Sequence, residues 1–511
     1  MSRPRHRAVA RTASAATLPP IYRDSDLLQS FLSDAAHVPG GTADGVVFPR
    51  DVAEIASVVL AAKRVLPVGA QSSLTGGATP RGDVVLSTRG LSDIAEPTRG
   101  TVRVGAGVPL SELQRFLAAR DLYYPPVPTF DGAFVGGTIA TNAAGAATFK
   151  YGVTRDWVSG LTVVLADGSI LDISRGDVRA SVEGIIEIET SARKLIRLNT
   201  PTYQVPALPK VSAGYFTQPH LDLVDLFVGS EGTLGVIADA TLRVKRRPLR
   251  CVALIVCSSE TQAIAVTARL RVEAAAAADP LDVAAIEYMD ARSLGLVDES
   301  TFAHAGIPRP VDGSTMLLVQ IETEGNLDAP LARLQNLLQI TGIADDPVVA
   351  LPGDERTATR LFELREAVPA AVNARVAAAK AQFGEAIQKV AGDFIVPFDA
   401  LAEALALYRE AFERRGLDYA IWGHISDGNL HPNAIPRSLQ DIEKGRDALR
   451  EMARGVIALG GAPLAEHGVG RNSLKQQFLT DMYGERGIEQ MRAVKHALDP
   501  DGKFAVGVLF P

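Results

Sequence analysis

The sequence predicts an α+β protein with more than one domain. Its 511 residues exceed the size at which one hydrophobic core keeps growing. Short apolar strands alternate with helix-like segments. Near residues 246–250 the glycine-dense turns of the first half give way to alanine-rich helices, and we place a domain boundary at that change.

The first half opens with a strand, a helix and a strand, an order that indicates an α/β arrangement. Residues 46–48 predict a short strand, and residues 49–63 have helical spacing with Asp51 placed to cap the helix. Residues 64–68 predict an apolar strand that enters a glycine-rich loop. Further strands are predicted at residues 84–87, 101–105, 161–165, 170–173 and 236–244.

The second half has longer elements. A strand at residues 251–257 precedes an alanine-rich helix at residues 260–276. The other predicted elements are strands at residues 284–289 and 316–321 and helices at residues 326–340, 354–368 and 485–498.

The composition excludes several classes of function. Lys and Arg number 52 against 59 Asp and Glu, which gives a net charge of −7, so nucleic acid is a poor partner. Cys251 and Cys257 share one face of a predicted strand, roughly 20 Å apart, which is too far for a disulfide. Two thiols also cannot hold an iron–sulfur cluster, which usually needs four ligands. The chain therefore suits a reducing compartment.

The N-terminus is rich in Arg and Ala, and its first acidic residue is Asp24. A transit peptide and a disordered tail both fit residues 1–20. Because the same bias continues along the whole chain, we expect a disordered tail. No apolar run approaches the roughly 20 residues that span a membrane. We expect a cytoplasmic protein, with membrane association only of the peripheral kind.

Three glycine-rich segments could hold a cofactor. Residues 67–78 read P-V-G-A-Q-S-S-L-T-G-G-A, which fits neither the Rossmann nor the P-loop motif. Their backbone N–H groups could surround a pyrophosphate, although a structural turn is an equal alternative. Residues 124–152 contain G-G-T-I-A-T-N-A-A-G, on which a flat ligand could lie, or which could form a packed Gly/Ala helix. The third segment is L-F-V-G-S-E-G-T-L-G-V-I at residues 226–237.

Histidines cluster in two short segments near the C-terminus. Three of the eight lie in G-H-I-S-D-G-N-L-H-P-N at residues 423–433 and in A-E-H-G-V-G at residues 465–470. Two imidazoles and a carboxylate suit a divalent ion such as zinc, with a position left open for substrate. Histidines hydrogen-bonded in a core are the alternative. We expect Glu466 and His467 to point in opposite directions, as neighbours do in an extended segment.

These five motifs, in this order, resemble the vanillyl-alcohol oxidase and p-cresol methylhydroxylase superfamily. The C-terminal pair resembles its FAD-linked D-2-hydroxy acid branch of glycolate oxidase flavin subunits, D-lactate dehydrogenases and D-2-hydroxyglutarate dehydrogenases. The resemblance covers residues 40–511. It implies an N-terminal tail or helix (1–40), a PCMH-type FAD-binding domain (41–247) and an FAD-linked oxidase cap domain with a ferredoxin-like antiparallel sheet plus helices (248–511).

The resemblance implies that the glycine-rich segments bind FAD. Relatives that bind flavin covalently use a His in the first segment or a Cys in the second, and this chain has neither there, so we expect non-covalent FAD. The implied FAD-binding residues are Pro67, Val68, Gly69, Ala70, Gln71, Ser72, Ser73, Leu74, Gly76, Gly77, Ala78, Pro128, Thr129, Gly132, Val135, Gly136, Gly137, Thr138, Ala140, Thr141, Asn142, Gly145, Tyr151, Gly152, Glu231, Gly235, Val236 and Ile237.

The resemblance also assigns the reacting groups. A divalent metal, with zinc favoured, is expected on His424, His431 and Glu466, where it would acidify the substrate hydroxyl. His467 would accept the hydroxyl proton while the flavin takes the hydride.

Substrate binding is assigned in the same way. Arg365 would pair with the substrate carboxylate, and Asn433 would contact the substrate. A solvated helix charge is the alternative for Arg365.

Departures from the branch leave the substrate open. Pro369 stands where the hydroxyglutarate enzymes carry a hydroxyl, and Ala391 stands where they carry a lysine, two residues before Asp393. Lys389 is the nearest replacement for that lysine. The departures favour a smaller or more apolar 2-hydroxy acid over a dicarboxylate.

The expected activity is oxidation of a D-2-hydroxy acid to the 2-oxo acid. Electrons would pass to a quinone, a cytochrome, an electron-transfer flavoprotein or a separate iron–sulfur subunit, and O₂ is a further acceptor. The alternatives are a transferase similar to alkylglycerone-phosphate synthase and a flavin-binding subunit of a larger redox complex. A homodimer is compatible with the sequence.

Overall fold

The computed structural model describes residues 5–276, 281–323, 325, 327–343, 345–384 and 387–511. Up to residue 247 the strands are β1 (Arg7–Val9), β2 (Thr42–Val47), β3 (Val65–Val68), β4 (Arg81–Ser87), β5 (Thr101–Gly105), β6 (Leu122–Tyr123), β7 (Val158–Val164), β8 (Ile170–Ser174), β9 (Ile185–Glu189), β10 (Leu195–Asn199), β11 (Val236–Arg243) and β12 (Lys245–Arg246). The helices of this part are α1 (Ser25–Gln29), α2 (Val52–Ala61), α3 (Leu110–Ala118), α4 (Val135–Ala140), α5 (Thr148–Tyr151), α6 (Thr154–Trp157) and α7 (Leu223–Phe227).

From residue 248 onward most helices are longer. The strands are β13 (Leu249–Cys257), β14 (Val283–Met289), β15 (Thr315–Thr323), β16 (Val348–Ala350), β17 (Val390–Ala391), β18 (Phe394–Ile395), β19 (Asp418–His424) and β20 (Asn429–Ile435). The helices are α8 (Glu260–Ala274), α9 (Ala291–Leu296), α10 (Glu299–Ala305), α11 (Asp328–Ile340), α12 (Glu355–Phe383), α13 (Leu401–Glu413), α14 (Leu439–Ala458) and α15 (Ser473–Leu498). Short 3₁₀ turns lie at Thr88–Gly90, Phe398–Ala400 and Ile425–Asp427.

The chain divides into two compact units. Unit 1 holds the residues up to Gly145, then Gly152–Arg247 and Leu464–Pro511. Unit 2 holds Ala146–Tyr151 and Pro248–Pro463. Part of the predicted cap domain, the segment from Leu464, therefore clusters with the N-terminal half, whereas the change at residue 247 coincides with the predicted boundary.

Unit 1 is built on small sheets. Strands β2, β4 and β3 form a parallel sheet, and β5, β11, β7 and β8 form an antiparallel one. Helix α2 packs against β7 and β11. Its start is set by Asp51, whose carboxylate accepts from the N–H groups of Ala53 at 2.9 Å and Glu54 at 2.8 Å, as predicted.

Unit 2 is built on one antiparallel sheet. Its strands run in the order β16, β13, β15, β14, β19, β20, β17, and β18 also pairs with β20. Strands β13, β14 and β15 are buried almost throughout, which is typical of a sheet that is covered on both faces. Cys251 and Cys257 are buried free thiols in β13.

The expected disordered tail is wrong for residues 5–11. Strand β1 pairs in parallel with β9, and Arg7 donates to Glu187 at 2.9 Å. Arg11 continues the contact by bonding with the backbone of Ile170. Sequence composition missed this because the strand is short and its partner lies far along the chain.

One predicted helix is longer than expected. The helix predicted to stop at residue 368 continues as α12 to Phe383, with Pro369 inside it. It continues because Val372 and Val376 extend the buried face begun by Leu361 and Val368. The predicted start of α11 at Asn326 lies outside the described residues. The last helix, predicted at residues 485–498, is the second part of α15: the segment Ser473–Leu498 consists of two helices that meet at Gly484, whose backbone is not helical.

None of the described helices combines the length and the apolar character that crossing a membrane requires.

Candidate functional site

In unit 2, His424 and His431 lie on one β-hairpin. His424 ends β19 and His431 lies in β20, and their rings are 5.6 Å apart between centroids. The D-G pair of the motif makes the turn, with Gly428 at φ 82°. Both histidines are buried, at 2% and 6% exposure. The structure therefore brings the two predicted metal-binding imidazoles together.

Glu287 connects His424 to Arg365. Glu287 lies on β14 directly opposite His424, and its Oε1 is 2.5 Å from His424 Nδ1. Its Oε2 accepts from Arg365 Nε at 2.6 Å. Burial alone would raise the pKa of Glu287, but the charges of Arg365 and His424 and their hydrogen bonds overcome burial and lower the pKa to about 2.

This arrangement limits what each group can bind. With Nδ1 of His424 directed at Glu287, only Nε2 remains for a metal, which is the usual arrangement of a ligating imidazole held by a carboxylate. Arg365 is 6% exposed and also donates from Nη1 to Glu366 at 2.8 Å. Its alternative as a solvated helix charge is therefore wrong. The sequence did not identify Glu287 as a candidate, because the residues around it form an ordinary strand pattern without a motif.

A second carboxylate, Asp393, lies beside His431. Its Oδ1 is 3.7 Å from His431 Nδ1 and accepts from Asn429 Nδ2 at 3.2 Å. Asp393 is 1% exposed, and its donor chemistry suits a divalent ion as well as an imidazole does.

Asn433 lies two residues beyond His431 on the same strand. Its Nδ2 donates to the His431 carbonyl at 2.8 Å. Among the described residues, its buried Oδ1 has no hydrogen-bond partner. A buried amide oxygen of this kind can accept a hydrogen bond from a ligand or an ordered water.

Lys389 lies at the margin of this region. It is exposed, and its Nζ donates to Asn373 at 3.1 Å and lies 5.6 Å from the centre of the Trp422 ring. Ala391 pairs with Asn433 across β17 and β20, so a methyl group stands beside the predicted substrate amide.

In unit 1, the first glycine-rich segment is held by its own hydrogen bonds. Ser73 Oγ accepts from the N–H groups of Thr75 at 3.2 Å and Gly77 at 3.3 Å. Gln71 Nε2 donates to the carbonyls of Ser30 and Ser33 at 3.0 Å each. The Gln71 carbonyl also accepts from Ala35 N at 3.0 Å, so the backbone N–H of Gln71 is the group that can bind a ligand.

The second glycine-rich segment contains one tightly packed glycine and one glycine with open space beside it. In α4 a methyl group on Gly136 would lie 2.6 Å from Ala106 Cβ, whereas a methyl group on Gly137 would meet nothing within 4 Å. Gly136 is therefore needed for packing, and Gly137 keeps open the space over the backbone that a flat ligand requires. Tyr151, an implied FAD residue, belongs to unit 2, where its hydroxyl donates to Glu322 of the same unit.

The segment with Glu466 and His467 completes unit 1. It bends at residues 465–467, and His467 Nε2 lies 3.6 Å from Glu466 Oε1. The expectation that the two side chains point apart is wrong, because alternation holds only for extended backbone. Glu466 Oε2 accepts from Lys210 Nζ at 3.0 Å, and Lys210 is fully buried. Lys210 is a partner of the candidate residue Glu466 that the sequence did not indicate.

Comparison with known proteins agrees with this architecture. The family described as FAD linked oxidases, C-terminal domain, matches residues 247–509, and an FAD binding domain matches residues 43–174. A D-2-hydroxyglutarate dehydrogenase of Xanthomonas citri is 30% identical over 91% of this chain and 89% of its own length. The glycolate oxidase subunit GlcD of Bacillus subtilis is 28% identical over 91% and 89%. A D-lactate dehydrogenase of Archaeoglobus fulgidus is 28% identical over 89% and 88%.

Solved structures show the same fold. An alkyldihydroxyacetonephosphate synthase superposes with a TM-score of 0.59 over 98% of this chain and 90% of its own, at 13% identity. The predicted α+β class and the pairing of an FAD-binding domain with an oxidase C-terminal domain are confirmed, while the domain limits 41–247 and 248–511 stay a prediction. The chain belongs to the FAD-linked oxidases and is an FAD-dependent oxidoreductase.

Proposed function

We propose that this protein oxidises a D-2-hydroxy acid to the corresponding 2-oxo acid. The observation that carries the proposal is the buried guanidinium of Arg365, held through Glu287 beside the imidazole of His424. A planar cation suits the carboxylate of such an acid. The relatives named above are called after glycolate, D-lactate and D-2-hydroxyglutarate, each of which is a 2-hydroxy acid.

The roles follow from the chemistry of each side chain. Arg365 binds the substrate carboxylate, with Glu287 fixing the direction of the guanidinium. Asn433 Oδ1 accepts a hydrogen bond from the substrate, as its lack of a partner suggests. His467 accepts the proton of the hydroxyl group. FAD, bound non-covalently by the glycine-rich segments, would supply the acceptor for the hydride from Cα.

The metal is part of the proposal. His424, His431 and Glu466 would hold a divalent ion, with zinc favoured, and Asp393 offers a further oxygen beside His431. A cation held there would supply positive charge that lowers the pKa of the hydroxyl. One carboxylate oxygen of Glu466, Oε2, accepts from the Lys210 ammonium, which fixes the orientation of the carboxylate, while Oε1 would bind the metal.

The substrate side chain and the electron acceptor are proposals as well. Ala391 and Pro369 favour a small or apolar side chain, because neither supplies a donor for a second carboxylate. We propose a separate redox partner as acceptor, of the quinone, cytochrome, electron-transfer flavoprotein or iron–sulfur type. The two alternatives, a transferase similar to alkylglycerone-phosphate synthase and a flavin-binding subunit of a larger redox complex, have the same fold but do not catalyse this oxidation.

A flavin-reduction screen tests the proposal. D- and L-lactate, glycolate, D-2-hydroxyglutarate and longer 2-hydroxy acids are mixed anaerobically with the protein, and flavin bleaching is followed. His467→Ala should slow bleaching by about 10²–10⁴ while FAD stays bound. His304→Ala, which changes an exposed histidine of unit 2, is the matched control and should leave the rate unchanged.

Two outcomes would refute parts of the scheme. Full activity of His467→Ala would remove its role as base. A rate that a chelator leaves unchanged would remove the metal, whereas loss on chelation and recovery with Zn²⁺ would support it. A yellow protein that no 2-hydroxy acid bleaches would exclude the activity and favour the transferase or subunit alternatives.

A further inference from the structure

Glu231 joins two segments of unit 1 that the proposed reaction needs. It lies in the turn between α7 and β11, with a φ of 51°, in the left-handed region. Its own N–H donates to the carbonyl of Ala140 at 2.8 Å, and the N–H of Gly229 donates to Ile139 at 3.0 Å. The turn is therefore bonded to the C-terminal end of α4, in the second glycine-rich segment.

The carboxylate of Glu231 faces the segment that follows His467. Oε1 accepts from the N–H of Val469 at 2.8 Å, and Oε2 accepts from the N–H of Gly470 at 2.8 Å. Both oxygens are used, and such bonds to an ionised acceptor are about twice as strong as neutral ones. The side chain that the resemblance gave to FAD is thus occupied by protein backbone.

Gly468 makes this contact possible. A methyl group there would lie 2.9 Å from Glu231 Oε1, and its φ of 72° suits glycine. The residues just before His467 are held as well. Lys210 Nζ donates to the Glu466 carboxylate, and Ser212 N donates to the Leu464 carbonyl at 3.0 Å. His467 therefore lies between two fixed points of backbone.

We propose that Glu231 is a positioning residue for the reaction. Through Val469 and Gly470 it fixes the backbone just after His467, and through Ala140 it ties that backbone to α4. The inference rests on the proposed role of His467 as the base. It assigns to Glu231 the placing of the base, where the resemblance implied only cofactor contact.

Two N–H donors, one directed at each oxygen, favour the ionised form of the Glu231 carboxylate. Burial raises the pKa of Glu231 to about 7, against the opposing effects of the two N–H groups and of the Lys475 charge. Lys475 Nζ donates to the Gly468 carbonyl at 3.4 Å, and its positive charge opposes the effect of burial on the pKa of Glu231. An amide in place of the carboxylate can accept only one of the two bonds.

The test compares Glu231→Gln with a matched variant, Asp222→Asn. Asp222 also accepts two backbone N–H groups in unit 1, from Gly176 at 2.7 Å and Val224 at 3.1 Å, but neither belongs to a segment with a reacting group. Both variants lose one acceptor, so both should lower the thermal midpoint. Only Glu231→Gln should change the chemical step.

We expect Glu231→Gln to slow anaerobic flavin reduction by about 10–100-fold. KM should stay within about twofold and the FAD dissociation constant within about threefold, since neither substrate nor cofactor loses a contact. Hydrogen–deuterium exchange should speed up in the peptide that covers residues 467–471 and not elsewhere in unit 1. If the Gln variant is unstable, Glu231→Asp, which keeps the charge but is too short to reach both N–H groups, should show the same pattern more weakly.

Three results would overturn the inference. These are wild-type rates in Glu231→Gln, an equal rate loss in Asp222→Asn, and loss of FAD from Glu231→Gln, which would make Glu231 a cofactor residue. Failure of the proposed function would look different from failure of this inference. In the first case no 2-hydroxy acid would reduce the wild-type flavin, while hydrogen–deuterium exchange would still measure whether Glu231 holds the backbone of Val469 and Gly470.

Discussion

Arg365, Glu287 and His424 act as one group, because a single buried carboxylate joins the other two side chains. Glu287 and His424 are 3% and 2% exposed, so water cannot replace a lost partner. Removing one member of a buried ion pair leaves the other charge uncompensated. The guanidinium proposed to bind the substrate and a proposed metal ligand therefore depend on the same residue, Glu287.

Glu287→Gln should lower the thermal midpoint by roughly 6–12 °C, because a charge left without its buried partner costs about 3 kcal/mol. The folded-state pKa is lowered from 4.5 to about 2, so the ionised carboxylate stabilises the fold fully above pH 4.5 and progressively less as the pH falls towards 2. The difference between wild type and variant should shrink over that interval in calorimetry.

Glu363→Gln is the control for this prediction. Glu363 contacts His304 at 3.1 Å where both side chains are more than half exposed, at 56% and 57%. Such a pair contributes little. Equal midpoints for the two variants would show that the buried network does not stabilise unit 2.

At the scale of elements, α12 shows how packing outweighs a local signal. Pro369 has no N–H to donate to the carbonyl of Arg365, four residues earlier, and a proline in a helix interior costs about 3 kcal/mol. The helix continues because Val368, Val372 and Val376 keep one face buried. The continuous helix carries both Arg365 and, two turns later, Asn373, which accepts a hydrogen bond from Lys389.

Pro369→Ala should raise the thermal midpoint by a few degrees, since it restores the missing helical hydrogen bond and is worth about 1–3 kcal/mol. Pro330→Ala is the matched control. Pro330 lies in the first turn of α11, where an N–H has no helical acceptor, so no gain is expected. A midpoint that does not rise in Pro369→Ala would mean that α12 is already adapted to its proline.

At the scale of the whole molecule, the chain returns to its first unit after residue 463. Arg471 N donates to the Thr75 carbonyl at 3.0 Å, and Arg471 Nη1 donates to the Thr79 carbonyl at 2.7 Å. The C-terminal segment also pairs with β3, where Ala505 N donates to Val65 at 2.9 Å. The last 48 residues, Leu464–Pro511, therefore help to shape the first glycine-rich segment.

Arg471→Met should weaken FAD binding by about tenfold or more, because a charged donor that holds the loop is worth about 1.5–3 kcal/mol. The measurement is FAD titration of the apoprotein by flavin fluorescence. Arg492→Met removes an exposed bond to the Pro511 carbonyl in the same segment and should leave the affinity unchanged. Equal affinities in both variants would show that Arg471 does not shape the loop.

Much of the site was visible in the sequence because its motifs are contiguous. G-H-I-S-D-G-N-L-H-P-N is one hairpin, and its spacing alone brings His424 and His431 together once the D-G turn forms. Most of the predicted strands and helices lie within a few residues of the observed ones, as at β5, Thr101–Gly105, because local apolar periodicity marks them. Helices α3, α13 and α14 were not predicted. The predicted ends were wrong where tertiary packing determines the end of an element, as in α12.

The sequence by itself determined the α+β class, the FAD-linked oxidase family and the candidate reacting residues, since each is written in neighbouring residues. Only the tertiary structure decided which groups hold those residues in place. Glu287 meets Arg365 across 78 positions of the chain, Glu231 meets Val469 across 238, and Lys210 meets Glu466 across 256. Contacts between such distant positions leave no periodicity or motif, because folding alone brings the two residues together.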